Sequence, residues 1–170
     1  MRKITVAAAQ MGAIQKNETR DLVIERMIAL MNEAKRQAAD FIVYPELTLT
    51  TFFPRYFMED HAEIDSWFET EMPNASTRPL FWKAKEFGMG MTFGYAELTP
   101  EDKHYNTSIL VDKSGEIIGK YRKVHLPGHS KHDPERAFQH LEKRYFLPGD
   151  LGFPVYRTMS GVLGMCICND

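Results

Sequence analysis

Three observations along the 170 residues predict an α/β fold. Residues 3–44 read in the order strand, helix, strand. Residues 89–125 hold three further strand-like segments. Between these two regions, apolar residues recur at helical spacing instead of alternating. Strands interspersed with helices in this way make a layered sheet with helices on its faces.

The first strand is residues 3–9 (KITVAAA), an apolar run between polar flanks. Residues 18–39 follow as a helix, with Leu22, Val23, Met27, Leu30, Met31 and Ala34 on one face and Glu25, Asn32 and Lys35 on the other. Residues 41–44 (FIVY) form the second strand, ended by Pro45. A strand–helix–strand unit of this kind predicts a parallel pair with a right-handed crossover. An aromatic and threonine-rich loop over 47–60 leads into helices at 61–72 and 78–87, the second closed by Gly88. Strands at 89–98, 104–112 and 116–125 come next, with Ser114-Gly115 marking a hairpin turn. The span 127–152 is irregular, and a short helix is expected near 135–144. Strands at 153–158 and 162–168 complete the chain. The last is expected to be a parallel strand buried on both faces, which requires helices to cover it. None follows Asp170, so the chain is expected to stop inside a larger fold, with residues 1–170 forming one domain that lacks its C-terminal part.

Composition excludes several function classes. Hydrophobic residues make up 44%, charged residues 26%, and the formal net charge is −2. No basic patch or long single-sign run offers a surface to nucleic acid or an anionic membrane. No apolar stretch reaches the ~20 residues that span a bilayer. The N-terminus MRKITVAAAQMG has no sustained apolar leader segment, which makes the cytoplasm the expected compartment. Cys166 and Cys168 are one residue apart, and on a strand they point to opposite faces, so both are expected to stay thiols.

Three residues carry chemical promise. Glu46 follows the second strand at the carboxyl end, where α/β sheets place their sites. Lys123 closes a strand before an irregular loop, and Cys168 lies near the end of the last strand. A thiol is mostly protonated at neutral pH, and a neighbouring carboxylate can take its proton to leave a strong nucleophile. Glu46 suits that base and can later return the proton to a leaving nitrogen. A fixed ammonium such as Lys123, with the backbone N–H after the cysteine, suits an oxyanion. Each residue also has an ordinary reading alone: a solvated loop carboxylate, a surface lysine and a small core thiol. That last reading is the one given to Cys166, which should face away if Cys168 faces the site.

Taken together, FIVYPELTLTTFFPR, GKYRKVHLPG and GMCICND resemble the three signature motifs of the nitrilase superfamily of carbon–nitrogen hydrolases. TLTTFFPR, YNTSILVDKSGEIIGKYRKVHLPGH and FQHLEKRYFLPGDLGFPVY resemble N-carbamoyl-D-amino acid hydrolases in particular. The resemblance implies a four-layer α-β-β-α sandwich, of which this chain is the N-terminal part. It implies a Glu46–Lys123–Cys168 triad, a small-molecule substrate, no metal, no organic cofactor and a homo-oligomeric assembly. It implies that Glu142 positions substrate or Lys123, and that His125 and His140 support the pocket. Asn169, after the cysteine, favours a carbamoylase over a nitrilase. The arginines that hold the substrate carboxylate in that subgroup would fall past Asp170. The competing readings are another amidase or ureidopropionase of the superfamily, an inactive fragment, and a zinc module built from His125, His129, His132, His140, Cys166 and Cys168. The last lacks any paired CxxC spacing.

Overall fold

The computed structural model describes residues 3–158 and 161–170. Its centre is one five-stranded sheet in the order β1-β2-β3-β4-β5. Strands β1 (Val6–Ala8), β2 (Phe41–Val43) and the start of β3 (Gly90–Leu98) run parallel. β4 (His104–Val111) and β5 (Ile117–Arg122) continue antiparallel. This is the expected α/β architecture, including the parallel first pair. The hairpin between β4 and β5 also falls where Ser114-Gly115 predicts it. Gly115 takes φ 81°, and Asp112 Oδ1 accepts from the Ser114 backbone at 2.8 Å to close the turn.

Helix α1 (Arg20–Arg36) connects β1 to β2. The Thr19 side chain accepts from Leu22 N at its start, Asp21 lies in its first turn, and Lys35 and Arg36 lie in its last. Charges so placed complement the helix dipole. Its buried face is Val23, Ile24, Met27, Met31 and Ala34. Leu22, expected on that face, is half exposed, because the face turns about Met27 and takes Ile24 instead. Helix α3 (Arg78–Phe87) has Pro79 in its first turn and ends at Gly88, whose φ of 59° allows the left-handed cap. It adds Leu80, Phe81 and Ala84 to the same core. Ile42, Met91, Phe93, Ile109 and Val111 meet the two helices from the sheet. The alternate positions, Val43, Thr92, Ser108 and Leu110, line the opposite face.

Four local expectations are corrected. The helix expected over 61–72 is only α2 (His61–Asp65). Beyond it Trp67 and Phe68 enter a second apolar cluster with Phe53, Tyr145 and Phe146, and Glu69 extends along β3. Glu69 N donates to Ala96 O at 2.8 Å and its carbonyl accepts from Leu98 N at 3.0 Å, so its backbone is satisfied by the sheet. The helix expected near 135–144 shrinks to α4 (Glu142–Tyr145). Tertiary partners claim the preceding backbone: Leu141 N donates to Pro54 O, and His140 O accepts from His129 N.

The strand expected over 116–125 ends at Arg122. Most importantly, 162–168 is not a buried parallel strand. β6 (Val155–Thr158) and β7 (Gly161–Gly164) form a separate antiparallel pair with exposed positions, and Cys168 lies past it in a turn. Of the four layers the resemblance implies, the described residues supply one helical layer, one large sheet and this small hairpin.

Candidate active site

The loop after β2 carries Glu46 across the open face of β3. It can do so because β3 has Gly94 at the crossing point. A Cβ there would stand 2.8 Å from Leu47 N and 3.0 Å from Glu46 Cα. Gly94 also fastens the loop on both sides, donating to Pro45 O at 3.2 Å and accepting from Thr48 N at 2.8 Å. Leu47 takes φ 47°, which bends the chain back into the sheet's second apolar cluster and leaves Glu46 at the crest.

Lys123 stands one residue past β5, with its backbone N–H still paired to Asn106 O at 2.8 Å. Its side chain is fully buried. The ammonium donates to Glu46 Oε1 at 2.7 Å and to Glu142 Oε2 at 2.8 Å. Burial opposes the charge on Lys123, yet these two carboxylates outweigh it and hold the lysine above its ordinary value. The second oxygen of Glu142 meets His140 Nε2 at 3.0 Å. Glu142 is thus buried between an ammonium and an imidazole, and His140 packs edge-on against Phe52.

Cys168 reaches this cluster from the turn at 167–170, where it adopts φ 48°. A left-handed backbone at a non-glycine residue is uncommon and is retained where the surroundings over-determine it. Here the determinant is Asp170. Its Oδ2 accepts from Ile167 N at 3.0 Å, and its Oδ1 accepts from His125 N at 2.9 Å. One carboxylate therefore closes the turn and pins it to the segment that carries Lys123. Cys168 stands close enough to Glu46, Lys123 and Glu142 for their charges to act on its thiol. Burial pushes the thiol above its ordinary value, the Glu46 and Glu142 charges add to that, and Lys123 pulls the other way. The resting sulfur therefore carries its proton at neutral pH, with a carboxylate in place to receive it.

The structure brings Glu46, Lys123, Cys168, Glu142 and His140 together. His125 and Asn169 lie at the rim. The His125 ring meets Asp170 Oδ1 at 3.1 Å and stacks on Phe153, and Asn169 Nδ2 donates to His125 O at 3.2 Å. Both are exposed, and among the described residues neither side chain hydrogen-bonds Glu46, Lys123 or Glu142. Cys166 lines the open sheet face beside Val43 and Leu110. Two residues that matter here were not singled out by sequence reasoning. Asn106 is buried in β4 and donates from Nδ2 to Glu46 Oε1 at 2.6 Å. Its only signal in the sequence is a polar residue within the apolar strand YNTSILV. Asp170 has no signal beyond its place after the cysteine.

The four histidines of the zinc reading go separate ways. His129 meets Gln139 at 3.2 Å, His132 stacks on Phe57, and His125 and His140 are engaged as above. Among the described residues no three His, Cys, Asp or Glu side chains are gathered as a metal cage. No described helix is long and apolar enough to cross a membrane.

Comparison with known proteins identifies the family. The sequence pattern of the family described as carbon-nitrogen hydrolase matches residues 5–170. An N-carbamoylputrescine amidase of Solanum lycopersicum is 30% identical over 99% of this chain and 51% of its own length. A nitrilase of Pyrococcus abyssi is 33% identical over 83% of this chain and 47% of its own. The crystal structure of a carbon-nitrogen hydrolase from Helicobacter pylori G27 superposes with a TM-score of 0.79 at 25% identity, covering 98% of this chain and 52% of that one. The chain thus spans about half the length of these relatives. The match along nearly all its residues establishes that the chain belongs to the carbon-nitrogen hydrolase family, the nitrilase superfamily.

Proposed function

We propose that Cys168 is the nucleophile of a hydrolase that cleaves the carbamoyl C–N bond of N-carbamoyl-D-amino acids. The observation that carries this reading is the junction at Glu46, whose carboxylate accepts from the Lys123 ammonium at 2.7 Å and is near enough to Cys168 for its charge to raise the thiol. Glu46 removes the thiol proton as sulfur attacks the carbamoyl carbon. The oxyanion that develops is met by Lys123, whose charge is fixed by Glu46 and Glu142. Glu46 then returns the proton to the departing nitrogen, and ammonia leaves, so that a thiocarbamate remains on Cys168. Glu46 next deprotonates a water that attacks the thiocarbamate carbon, the C–S bond breaks, and the proton returns to the sulfur of Cys168. The freed N-carboxy product loses carbon dioxide to give the D-amino acid. A ureido carbonyl is a poor electrophile because two nitrogens donate into it, so both the base and the cation are required.

Support for the carbamoyl substrate comes from the flanking segments TLTTFFPR and FQHLEKRYFLPGDLGFPVY, which resemble the D-carbamoylase subgroup. A second reading, a carbamoylated amine without a carboxylate, is favoured by a different observation. The buried cluster holds two carboxylates against one ammonium, so it offers no spare positive charge to a substrate anion. The N-carbamoylputrescine amidases at about 30% identity are in keeping with that choice.

Turnover of N-carbamoyl-D-phenylglycine, its L-enantiomer and N-carbamoylputrescine separates the readings. Ammonia release from the D-compound alone is expected, and Cys168→Ala is expected to abolish it with the circular dichroism spectrum unchanged. Release from N-carbamoylputrescine alone would select the second reading. Full activity in Cys168→Ala would remove the thiol from the mechanism.

A further inference from the structure

We propose that Asn106 is a positioning residue that aims the Glu46 carboxylate at the thiol. The inference rests on Glu46 acting as the base and adds what holds that base in place.

Asn106 sits in β4 opposite Ala96, with no exposed surface. Its Nδ2 donates to Glu46 Oε1 at 2.6 Å, and Lys123 Nζ donates to the same oxygen at 2.7 Å. Both N–H donors therefore land on Oε1, which leaves Oε2 for the proton of Cys168. The backbone of Asn106 takes part as well, since its carbonyl accepts from Lys123 N at 2.8 Å. One residue thus fixes the base through its side chain and the cation through its main chain.

The amide orientation is forced. Turned the other way, its carbonyl oxygen would face a carboxylate oxygen at 2.6 Å, which is repulsive. In the observed orientation Oδ1 is buried without a hydrogen-bond partner among the described residues. A buried acceptor left unpaired is destabilising, and such groups in folded proteins call for an explanation. Here the explanation is directional: the strand tolerates an idle Oδ1 so that Nδ2 can point at Glu46. Asparagine also does this without charge. A second cation at the same spot would pull the Glu46 carboxylate away from accepting a proton, and the base would weaken.

The test is the pH dependence of Cys168 alkylation by iodoacetamide, in a Cys166→Ser background so that one thiol is read. Asn106→Leu keeps the bulk and removes the donor. Alkylation near neutral pH is expected to fall roughly tenfold or more, because general-base help is lost. Asn106→Asp keeps the shape but replaces the donor with an acceptor, so its alkylation near neutral pH should fall as well. Melting temperature should change little in Asn106→Leu, since an unpaired acceptor leaves along with the donor. Profiles of both variants that superimpose on the parent would overturn the inference. Glu46→Gln, measured alongside, separates the two levels. If it alkylates slowly while the Asn106 variants are normal, only the positioning role fails. If it too alkylates at the parent rate, Glu46 is not the base and both fail.

Discussion

Glu97 shows how strongly single residues are held around this site. It lies in β3 with 6% exposure, and its carboxylate takes Lys120 at 2.7 Å, Arg122 at 2.8 Å and the Thr107 hydroxyl at 2.7 Å. Burial would raise its pKa, but these donors outweigh burial and bring it down from 4.5 to about 2. A carboxylate depressed in this way stabilises the fold above its unfolded value and loses that contribution as pH falls toward about 2. The shift corresponds to about 3 kcal/mol. Glu97→Gln is therefore expected to lower urea stability by about that amount at pH 7 and by progressively less between pH 4.5 and about 2. A difference independent of pH over that window would show that the ion pairs are not its source. At this scale Glu46, Lys123, Glu142 and Cys168 were legible because each lies within a compact local motif. Asn106 and Asp170 were not, because their partners lie 60 and 45 residues away and nothing local marks them.

Elements place these residues through backbone contacts more than through regular structure. The β2 loop rests on Gly94, the Cys168 turn rests on Asp170, and α4 presents Glu142 from a single helical turn. Gly94→Ala puts a methyl against backbone atoms that have no room to yield. It is expected to cost about 1–3 kcal/mol in stability through overpacking. Turnover should fall further than stability accounts for, on the order of a hundredfold, since a base displaced by about 1 Å is misaligned. Kinetics on protein that is still folded would check this, and unchanged turnover would contradict the role assigned to the crossing. Sequence periodicity located β2 through β5, α1 and α3 because their side chains alternate or repeat against one core. It extended α2, α4 and β7 too far for a common reason. In each case a backbone group of the excess residues is taken by a partner outside the element: the distant Ala96 for Glu69 and Pro54 for Leu141, and the side chain of Asp170, three residues on, for Ile167.

On the scale of the whole molecule, one sheet separates two environments. Its helix-covered face buries a continuous apolar core, and its other face carries Val43 and Leu110 in a cavity of about 370 Å³ shared with Leu163 and Cys166. The α/β class was legible because chain order and periodicity alone determine it. The convergence at the end of the sheet was legible only as a resemblance, since residues 46, 123 and 168 meet through tertiary structure that no local pattern encodes. We propose that this convergence makes Cys168, and not Cys166, the residue whose sulfur attacks the substrate carbonyl. Acid quenching of a reaction with an N-carbamoyl substrate, followed by mass spectrometry of the peptide spanning 164–170, tests it most directly. An acyl adduct on Cys168 that persists in Cys166→Ser and vanishes in Cys168→Ser is expected. Turnover that continues in Cys168→Ser with the adduct on Cys166 would contradict it.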